Sequence, residues 1–425
     1  MTQSNSSPDR PEDSPPGRSG PRVGGPGEPQ TDGWVVESLV PGGQGFLRAE
    51  DGRATFVPGG LPGDVVQPLE VDERKRSLHV RSFLLLDGPN RRETPCTIAD
   101  RCGGCDWMAL PRDEQLRWKR TVVVEAFRRT ARLDVDPGDV VTAGDELGWR
   151  SRIRLQVREG HVGFFERGSH RLVEVSQCAV ADRRLDAGVD WLNRLPREAL
   201  ARLDSVELRA ADEGPCLFVL DRPPRHPAWD SLPDGWALAG GGSQRTVVDG
   251  ISLEVPADAF VQVHGAANRA LVDAVVEGAK KRGVSSFCEV YGGIGNFGLP
   301  LSRLGPGVSI EAVGSASDAA RRTAAEAGLS LTVIAGDAAQ SLRTLKGKFD
   351  LVLLDPPRAG VKAALPPVMK LAPRWIAFVA CDPVTLARDV ATLVARGWRL
   401  DELAAFDLFP QTHHVEVLAW LAAPE

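Results

Sequence analysis

From about residue 265 onward the chain alternates short apolar runs with helix-like stretches. The runs are VSSFCEV, VSIEAV, LTVI, FDLVLLD and WIAFVA, and helical sequence separates most of them. A strand buried on both faces reads as a continuous apolar run. Strands that alternate with helices bury those faces as a mostly parallel sheet wound on both sides. The expectation is an α/β, Rossmann-like domain over 256–425. Its last two segments, WRLDELAAFDLF and HHVEVLAWL, have no helix between them, which predicts a closing antiparallel pair.

In such sheets ligands bind at the carboxyl ends of the strands. The first predicted strand runs into EVYGGIGNFGLPL, where Gly292, Gly293 and Gly295 would let a ligand approach the backbone. LTVIAGDA offers Asp337, FDLVLLDPPRAG offers Asp355, and FVACDPVTLARD places Cys381 where a strand runs out into a loop. Each feature has a plain reading when taken alone. A glycine turn can serve packing only, and a buried cysteine packs like a small hydrophobe. Together they put a glycine loop, two carboxylates and a thiol on one edge of one sheet.

Upstream, residues 1–30 are rich in Pro, Gly, Ser and Asp with almost nothing apolar, and are expected to be a disordered tail. Over 33–88, short β-rich runs (Trp34–Val36, Ala54–Val57, Val65–Val71 and Leu78–Leu85) alternate with Gly and Pro turns, as in a small all-β barrel. Residues 89–255 read as a central α+β domain with an amphipathic helix near 112–133. Of seven cysteines, Cys96, Cys102 and Cys105 form a C-x5-C-x2-C array. In a chain with no evident leader peptide this suggests a metal site more than disulfides, and a cytoplasmic protein. Cys216 and Cys288 have no evident partner and are expected in the core. No apolar run reaches the ~18 residues of a membrane span.

The net charge of −6 argues against a protein that simply coats nucleic acid. Local basic runs stand against that average: Arg117, Lys119, Arg120, Arg128, Arg129 and Arg132, then Arg150, Arg152, Arg154 and Arg158. They suit either a solvated face or a nucleic-acid surface.

In chain order, GGLPGDVV, CTIADRCGGC, FVQVH, YGGIGNFGLPL, LLDPPRAG, VACDPVTLARD and FPQTHHVEVLAWL resemble the RNA (uracil-5)-methyltransferases that use S-adenosylmethionine. The resemblance is strongest to the type that acts on 23S ribosomal RNA, and it covers roughly residues 33–425. It implies a class I methyltransferase domain, an N-terminal TRAM barrel of OB-like form, and a central domain with an iron–sulfur motif. It also implies chemistry. Carbon 5 of uracil is a poor nucleophile toward a sulfonium methyl group, whereas a thiolate added at carbon 6 places electron density on carbon 5. A base must then remove the carbon-5 proton so that the thiolate can leave. By resemblance Cys381 is the nucleophile and Glu416 the base, with His413 and His414 as nearby alternatives. Gln262, Tyr291, Gly293, Asn296, Asp337 and Asp355 fall on the cofactor side, and Phe260 on the target base.

The same resemblance adds Cys178 to Cys96, Cys102 and Cys105 as ligands of a 4Fe-4S cluster. Spacing alone leaves zinc open. The implied partner is RNA, ribosomal RNA before transfer RNA, with no membrane, no protein partner and a monomeric enzyme. Two positions depart from the family pattern. The acid expected at the end of the second strand, for the cofactor ribose, falls on Gly314, with Asp318 and Glu311 out of register. The Asn of the FxQxN motif is His264. A non-catalytic RNA-binding protein on the same scaffold is the reading that Gly314 motivates.

Overall fold

The computed structural model describes residues 33–361 and 363–425. The tail expected over 1–30 lies outside them. Two compact units are present: the residues up to Ser38 with Gly45–Pro89, and Leu39–Gln44 with Asn90–Glu425.

The smaller unit is a six-stranded sheet. Its spatial order is Trp34–Val35, Val65–Arg74, Ser77–Asp87, Ala54–Val57, Gly45–Arg48 and Ser38–Leu39. The first and last strands are successive pieces of one stretch. Val36 N–H donates to Asp64 O at 2.9 Å and Glu37 N–H to Phe46 O at 2.9 Å. That stretch therefore borders both ends of the sheet, which curls round Val36, Leu47, Val57, Val66 and Val80.

The larger unit begins with a helix, Arg112–Ala126, which continues as a π-helical turn over Phe127–Ala131. The expected helix near 112–133 thus changes pitch at Phe127, and Arg132 ends it at φ 56°. A mixed six-stranded sheet follows, in the order Trp236–Leu238, Cys216–Leu220, Ser205–Arg209, Arg152–Arg158, His161–Phe165 and Leu172–Glu174. Cys216 is half-buried on this sheet, short of the expected core position, whereas Cys288 is fully buried.

The expected α/β sheet has seven strands. In chain order they are Phe287–Val290, Gly307–Glu311, Leu331–Ala335, Leu351–Leu354, Trp375–Ala380, Arg399–Phe406 and Glu416–Ala422. In space they run third, second, first, fourth, fifth, seventh, sixth. The first five pair in parallel, while the seventh is antiparallel to both the fifth and the sixth. The first and fourth strands, FCEV and LVLL, are buried at every position. Successive residues enter opposite cores: Leu354 and Phe378 pack on one face with Leu386 of the helix Pro383–Val394, and Leu353 and Val379 on the other with Leu271 of the helix Gly265–Lys281. Each such burial is worth roughly 1.5–3 kcal/mol, which is why apolar runs suffice to specify the sheet. Register then sets the site. Ala380 opposes Val417, so the antiparallel seventh strand starts, at Glu416, on the edge where the fifth one ends.

Candidate active site

The first strand ends in a strained turn. Tyr291 has φ 67°, a left-handed value rare for a bulky residue, and Gly293 has φ 56°. At Gly292 a Cβ would lie 2.0 Å from Ser309 Oγ, so only glycine lets the loop lie on the second strand. Glu289 anchors the loop from below: its buried carboxyl accepts from Gly298 N–H at 2.9 Å and Ser309 Oγ at 2.7 Å. Burial raises that carboxyl to about 7.

The second strand stops at Glu311, and the next helix, Gly314–Glu326, begins at Gly314. The carboxylate of Glu311 accepts from Gly293 N–H at 2.9 Å and Val313 N–H at 2.7 Å. This corrects the sequence register: the acid at the strand end is present and is Glu311. Gly314 lies three residues beyond, where an added Cβ would meet nothing within 4 Å. The misreading arose because Ala312 and Val313 prolong the apolar run, while the Val313 N–H is already turned back onto Glu311. An acid about twenty residues past the glycine loop is the usual partner of ribose hydroxyls, and that spacing was the available signal. Asp337 caps the helix Ala338–Thr344 through Gln340 N–H at 2.9 Å. Asp337 and Asp389 both add to burial in pushing the Tyr291 phenol up. Asn296 forms a reciprocal amide pair with Asn268, at 2.7 and 3.0 Å.

Three neighbouring strands bring the reacting groups together. Asp355 follows the fourth strand, Cys381 follows the fifth, and Glu416 opens the seventh. In the sheet the fifth strand lies between the other two, so the thiol is flanked by carboxyls. The helix Pro383–Val394 starts at once after Cys381, capped by Asp382, which accepts from Thr385 N–H at 2.7 Å. The same helix carries Asp389, which is 3% exposed and accepts from Val361 N–H at 3.0 Å. At Gly360, φ 80°, a Cβ would lie 2.5 Å from Asp389 Oδ2. This contact holds the Pro356–Gly360 loop and its Arg358 against the helix.

Electrostatics follow from that packing. Burial, then the charge of Glu416, raises the Cys381 thiol to about 11, and Arg358 opposes the rise by charge and hydrogen bond. Burial, then Asp355, lifts Glu416 well above the carboxylate range, again against Arg358. Asp355 keeps some exposed surface as a residue, but its carboxyl lies deep. Burial and Glu289 raise it to about 7. Arg358 also approaches His414, with Nη2 3.4 Å from Nε2. Burial lowers His414 to about 3, with His413 and Arg358 adding, so it is neutral. His413 is held by Asp106, with Nδ1 2.5 Å from Oδ2 and the backbone N–H 3.1 Å from Oδ1. Cys381, Arg358, His413 and His414 line a cavity of about 200 Å³. The group comprises a soft nucleophile, two carboxyls that burial raises above their usual range, and one cation. Arg358 was not singled out in the sequence, although it stands in the quoted LLDPPRAG stretch.

Two expected site residues lie on a different cavity or surface. Phe260 is 62% exposed, with the Arg152 guanidinium carbon 5.5 Å from its ring centre. Gln262 lines a second cavity together with Arg152, Arg209 and Gly265. His264 is buried, stacks on Trp149 at 5.4 Å, and caps the helix Gly265–Lys281 through Ala267 N–H at 3.5 Å. Burial lowers it to about 4, so it is neutral and its ring nitrogen can accept that bond.

Cys96, Cys102, Cys105 and Cys178 line one cavity of about 180 Å³ with Ile98, Met108 and other residues. All four are free thiols. That volume is several times what a water molecule occupies by the same measure. Among the described residues no group of three or more His, Cys, Asp or Glu is arranged to hold a metal ion. The four thiols share that cavity. The first basic run is largely spoken for: Arg120 pairs with Asp136, Arg128 and Arg129 with Glu125, and fully buried Lys119 with Asp407.

Residues 339–423, which contain Asp355, Cys381 and Glu416, match the family model described as tRNA (Uracil-5-)-methyltransferase. The 23S rRNA (uracil(1939)-C(5))-methyltransferase RlmD of Pectobacterium atrosepticum is 31% identical, covering 91% of this chain and 92% of the relative. The RlmD of Klebsiella pneumoniae is 32% identical, over 90% of this chain and 93% of the relative. The crystal structure of Pyrococcus abyssi tRNA (uracil-54, C5)-methyltransferase in complex with S-adenosyl-L-homocysteine superposes with a TM-score of 0.72 at 24% identity. It covers 92% of this chain and 100% of that one, and establishes likeness of fold. With identity above 30% over nine-tenths of both chains, the chain belongs to the RNA (uracil-5)-methyltransferase family.

Proposed function

We propose that the protein methylates carbon 5 of a uridine in 23S ribosomal RNA, with Cys381 as nucleophile and Glu416 as base. The observation that carries this reading is the thiol of Cys381 set between Asp355 and Glu416 at the carboxyl edge of the sheet. The full-length relatives with ribosomal RNA in their names support the substrate. Transfer RNA is the second reading, favoured by the family model's description.

S-adenosylmethionine suits the loop at Tyr291–Gly295, and when bound it supplies an electrophilic methyl group. The donor set fits it: Glu311 and Asp337 offer carboxylates to hydroxyl and amine groups, and Tyr291 an aromatic face. With the thiol near 11, Cys381 is protonated at rest, so its proton must move to a neighbour as sulfur bonds to carbon 6. Asp355, near 7, is partly ionised at neutrality and can accept it. The C5=C6 electron pair shifts to form the enolate on the carbonyl oxygen of carbon 4, and Arg358 provides the nearby positive charge. Carbon 5 takes the methyl group. The Glu416 carboxylate then removes the carbon-5 proton, the C5=C6 bond re-forms, and the thiolate leaves.

The four cysteines, which line one cavity, are assigned to an iron–sulfur cluster and not to zinc on the strength of the family resemblance. When bound, the cluster would brace the 96–105 loop against Cys178. The curled N-terminal sheet is read as a TRAM-type RNA-binding module over 33–88, followed by a central domain to about 255 and the methyltransferase domain beyond it. The enzyme is read as a cytoplasmic monomer. Among the described residues no helix is long and apolar enough to cross a membrane. The test is mass mapping of 5-methyluridine in RNA from a strain lacking the gene. Loss from ribosomal RNA alone supports the assignment, and loss from transfer RNA replaces it with the second reading.

A further inference from the structure

Glu416 opens the seventh strand, and residues 407–415 carry the chain to it from the end of the sixth. Gln411, near the middle of that loop, is 0% exposed and has φ 69°. A residue with a side chain keeps such a left-handed value only when its surroundings impose it. Among the described residues, the partners that do so all come from 92–146. The Gln411 N–H donates to Gln115 Oε1 at 3.1 Å, and its carbonyl accepts from Trp107 N–H at 3.0 Å. Its side-chain Oε1 accepts from Arg92 Nη2 at 2.8 Å and Gln115 Nε2 at 3.0 Å, while Nε2 donates to Glu146 Oε2 at 3.0 Å.

The same region grips the loop on either side of Gln411. Buried Lys119 pairs with Asp407 and donates to Phe409 O at 3.0 Å, and Arg112 also pairs with Asp407. Asp106 holds both the backbone N–H and the ring of His413. Gln115 is as buried as Gln411 and also donates to Trp107 O at 3.1 Å, so the two amides and the Trp107 backbone form one unit. Apolar packing would fill this space without choosing a backbone conformation. A satisfied polar network chooses one, because each alternative leaves buried donors and acceptors unpaired. The loop so fixed leads directly into the site: His413, His414 and Val415 line the Cys381 cavity, and Gln411 does not.

We propose that Gln411 is a positioning residue for Glu416. Clamped by Gln115, Trp107, Arg92 and Glu146, it sets the loop so that the Glu416 carboxylate reaches the carbon-5 proton of the methylated adduct. The proposal rests on the reading of Glu416 as base. It assigns Gln411 to the last step alone. There the carboxylate takes the carbon-5 proton, the C–H electron pair re-forms the C5=C6 bond, and sulfur leaves with the C6–S pair. Thiol addition and methyl transfer use Asp355 and Cys381, which follow the fourth and fifth strands.

The test is a single-turnover acid quench of the full-length protein with S-adenosylmethionine and a uridine-containing ribosomal RNA fragment. It reads two rates: formation of methylated RNA bonded to Cys381, and decay of that adduct to free product. Gln411→Leu keeps the bulk and loses the amide. Gln411→Gly loses the side chain, adopts φ 69° without strain and keeps both backbone bonds, so it decides the matter where Gln411→Leu does not fold. Either variant should slow adduct decay about ten- to a hundredfold, the usual cost of a displaced catalytic group. Adduct formation and S-adenosylmethionine affinity should not change. Deuterium on carbon 5 of the target should slow the decay and not the formation. A partly unfolded enzyme would lower the amount of adduct without altering its decay. Glu416→Gln should trap the same adduct, and adding Gln411→Gly to it should slow decay no further. Wild-type product formation by Gln411→Gly, or slower adduct formation with unaltered decay in either variant, overturns the positioning role alone. If Glu416→Gln itself traps no adduct, the base assignment fails and the inference falls with it.

Discussion

Asp355→Asn should make the protein more stable at alkaline pH while crippling it. The fold raises this carboxyl from 3.8 to about 7. A raised acid favours the folded state only while protonated. The relative penalty is therefore absent below about 3.8, grows as pH rises, and is complete above about 7. A shift of about 3 units corresponds to about 4 kcal/mol at 1.36 kcal/mol per unit, an upper figure because Asp355 retains some solvent contact. Asparagine keeps the size and cannot ionise. Its stability advantage should grow by about 2–3 kcal/mol between pH 5 and pH 8. The assay is urea denaturation of both proteins at the two pH values, read as free energy and not midpoint alone. Methylation should fall at least tenfold in the same variant if Asp355 handles the thiol proton. An advantage equal at both pH values, or a wild type that is more stable at pH 8, would refute the reasoning.

The remaining predictions are narrower. Glu311→Gln should weaken S-adenosylmethionine binding by roughly ten- to a hundredfold, the cost of about 1.5–3 kcal/mol for a charge-assisted hydrogen bond; Gly314→Glu should not tighten it, since the acid is already in place, and calorimetry decides both. Below about pH 7 the rate should rise with pH, because the carboxyls beside Cys381 must ionise to accept protons; a flat profile from pH 5.5 to 7 would exclude them as bases. Anaerobically purified protein should be brown with broad visible absorbance and about four irons per chain by metal analysis, and Cys102→Ser should lose the colour; a colourless protein with stoichiometric zinc would overturn the cluster.

The sheet was readable because strands buried on both faces have little choice of composition. FCEV, LVLL and WIAFVA could be placed from their apolar runs alone. The carboxyl-edge convergence of Tyr291, Asp355 and Cys381 followed from topology. Boundaries were less readable: two apolar residues after Glu311 disguised the strand end and displaced the expected strand-end acid to Gly314. Pairings across long separations were not readable at all. Nothing local announces that Asp106 will hold His413, or that Arg152 will lie over Phe260. Gln262 stood in a motif of the right family, yet only the fold reveals that it lines a cavity with Arg152 and Arg209 of the central sheet. His264 illustrates the opposite case. A residue that departs from the pattern caps a helix with a neutral ring nitrogen.

The most direct measurement of the central claim is intact mass analysis of Glu416→Gln incubated with S-adenosylmethionine and a uridine-containing ribosomal RNA fragment. Cys381 acts before methyl transfer and Glu416 after it. Removing the base should let sulfur add and carbon 5 take the methyl group, then stall elimination. The account predicts a protein–RNA species that survives denaturation and carries one extra methyl group. It should form only with S-adenosylmethionine and vanish in the Cys381→Ala, Glu416→Gln double variant. Wild-type turnover by Glu416→Gln with no trapped species, or an adduct that persists without Cys381, would contradict the assignment of the pair.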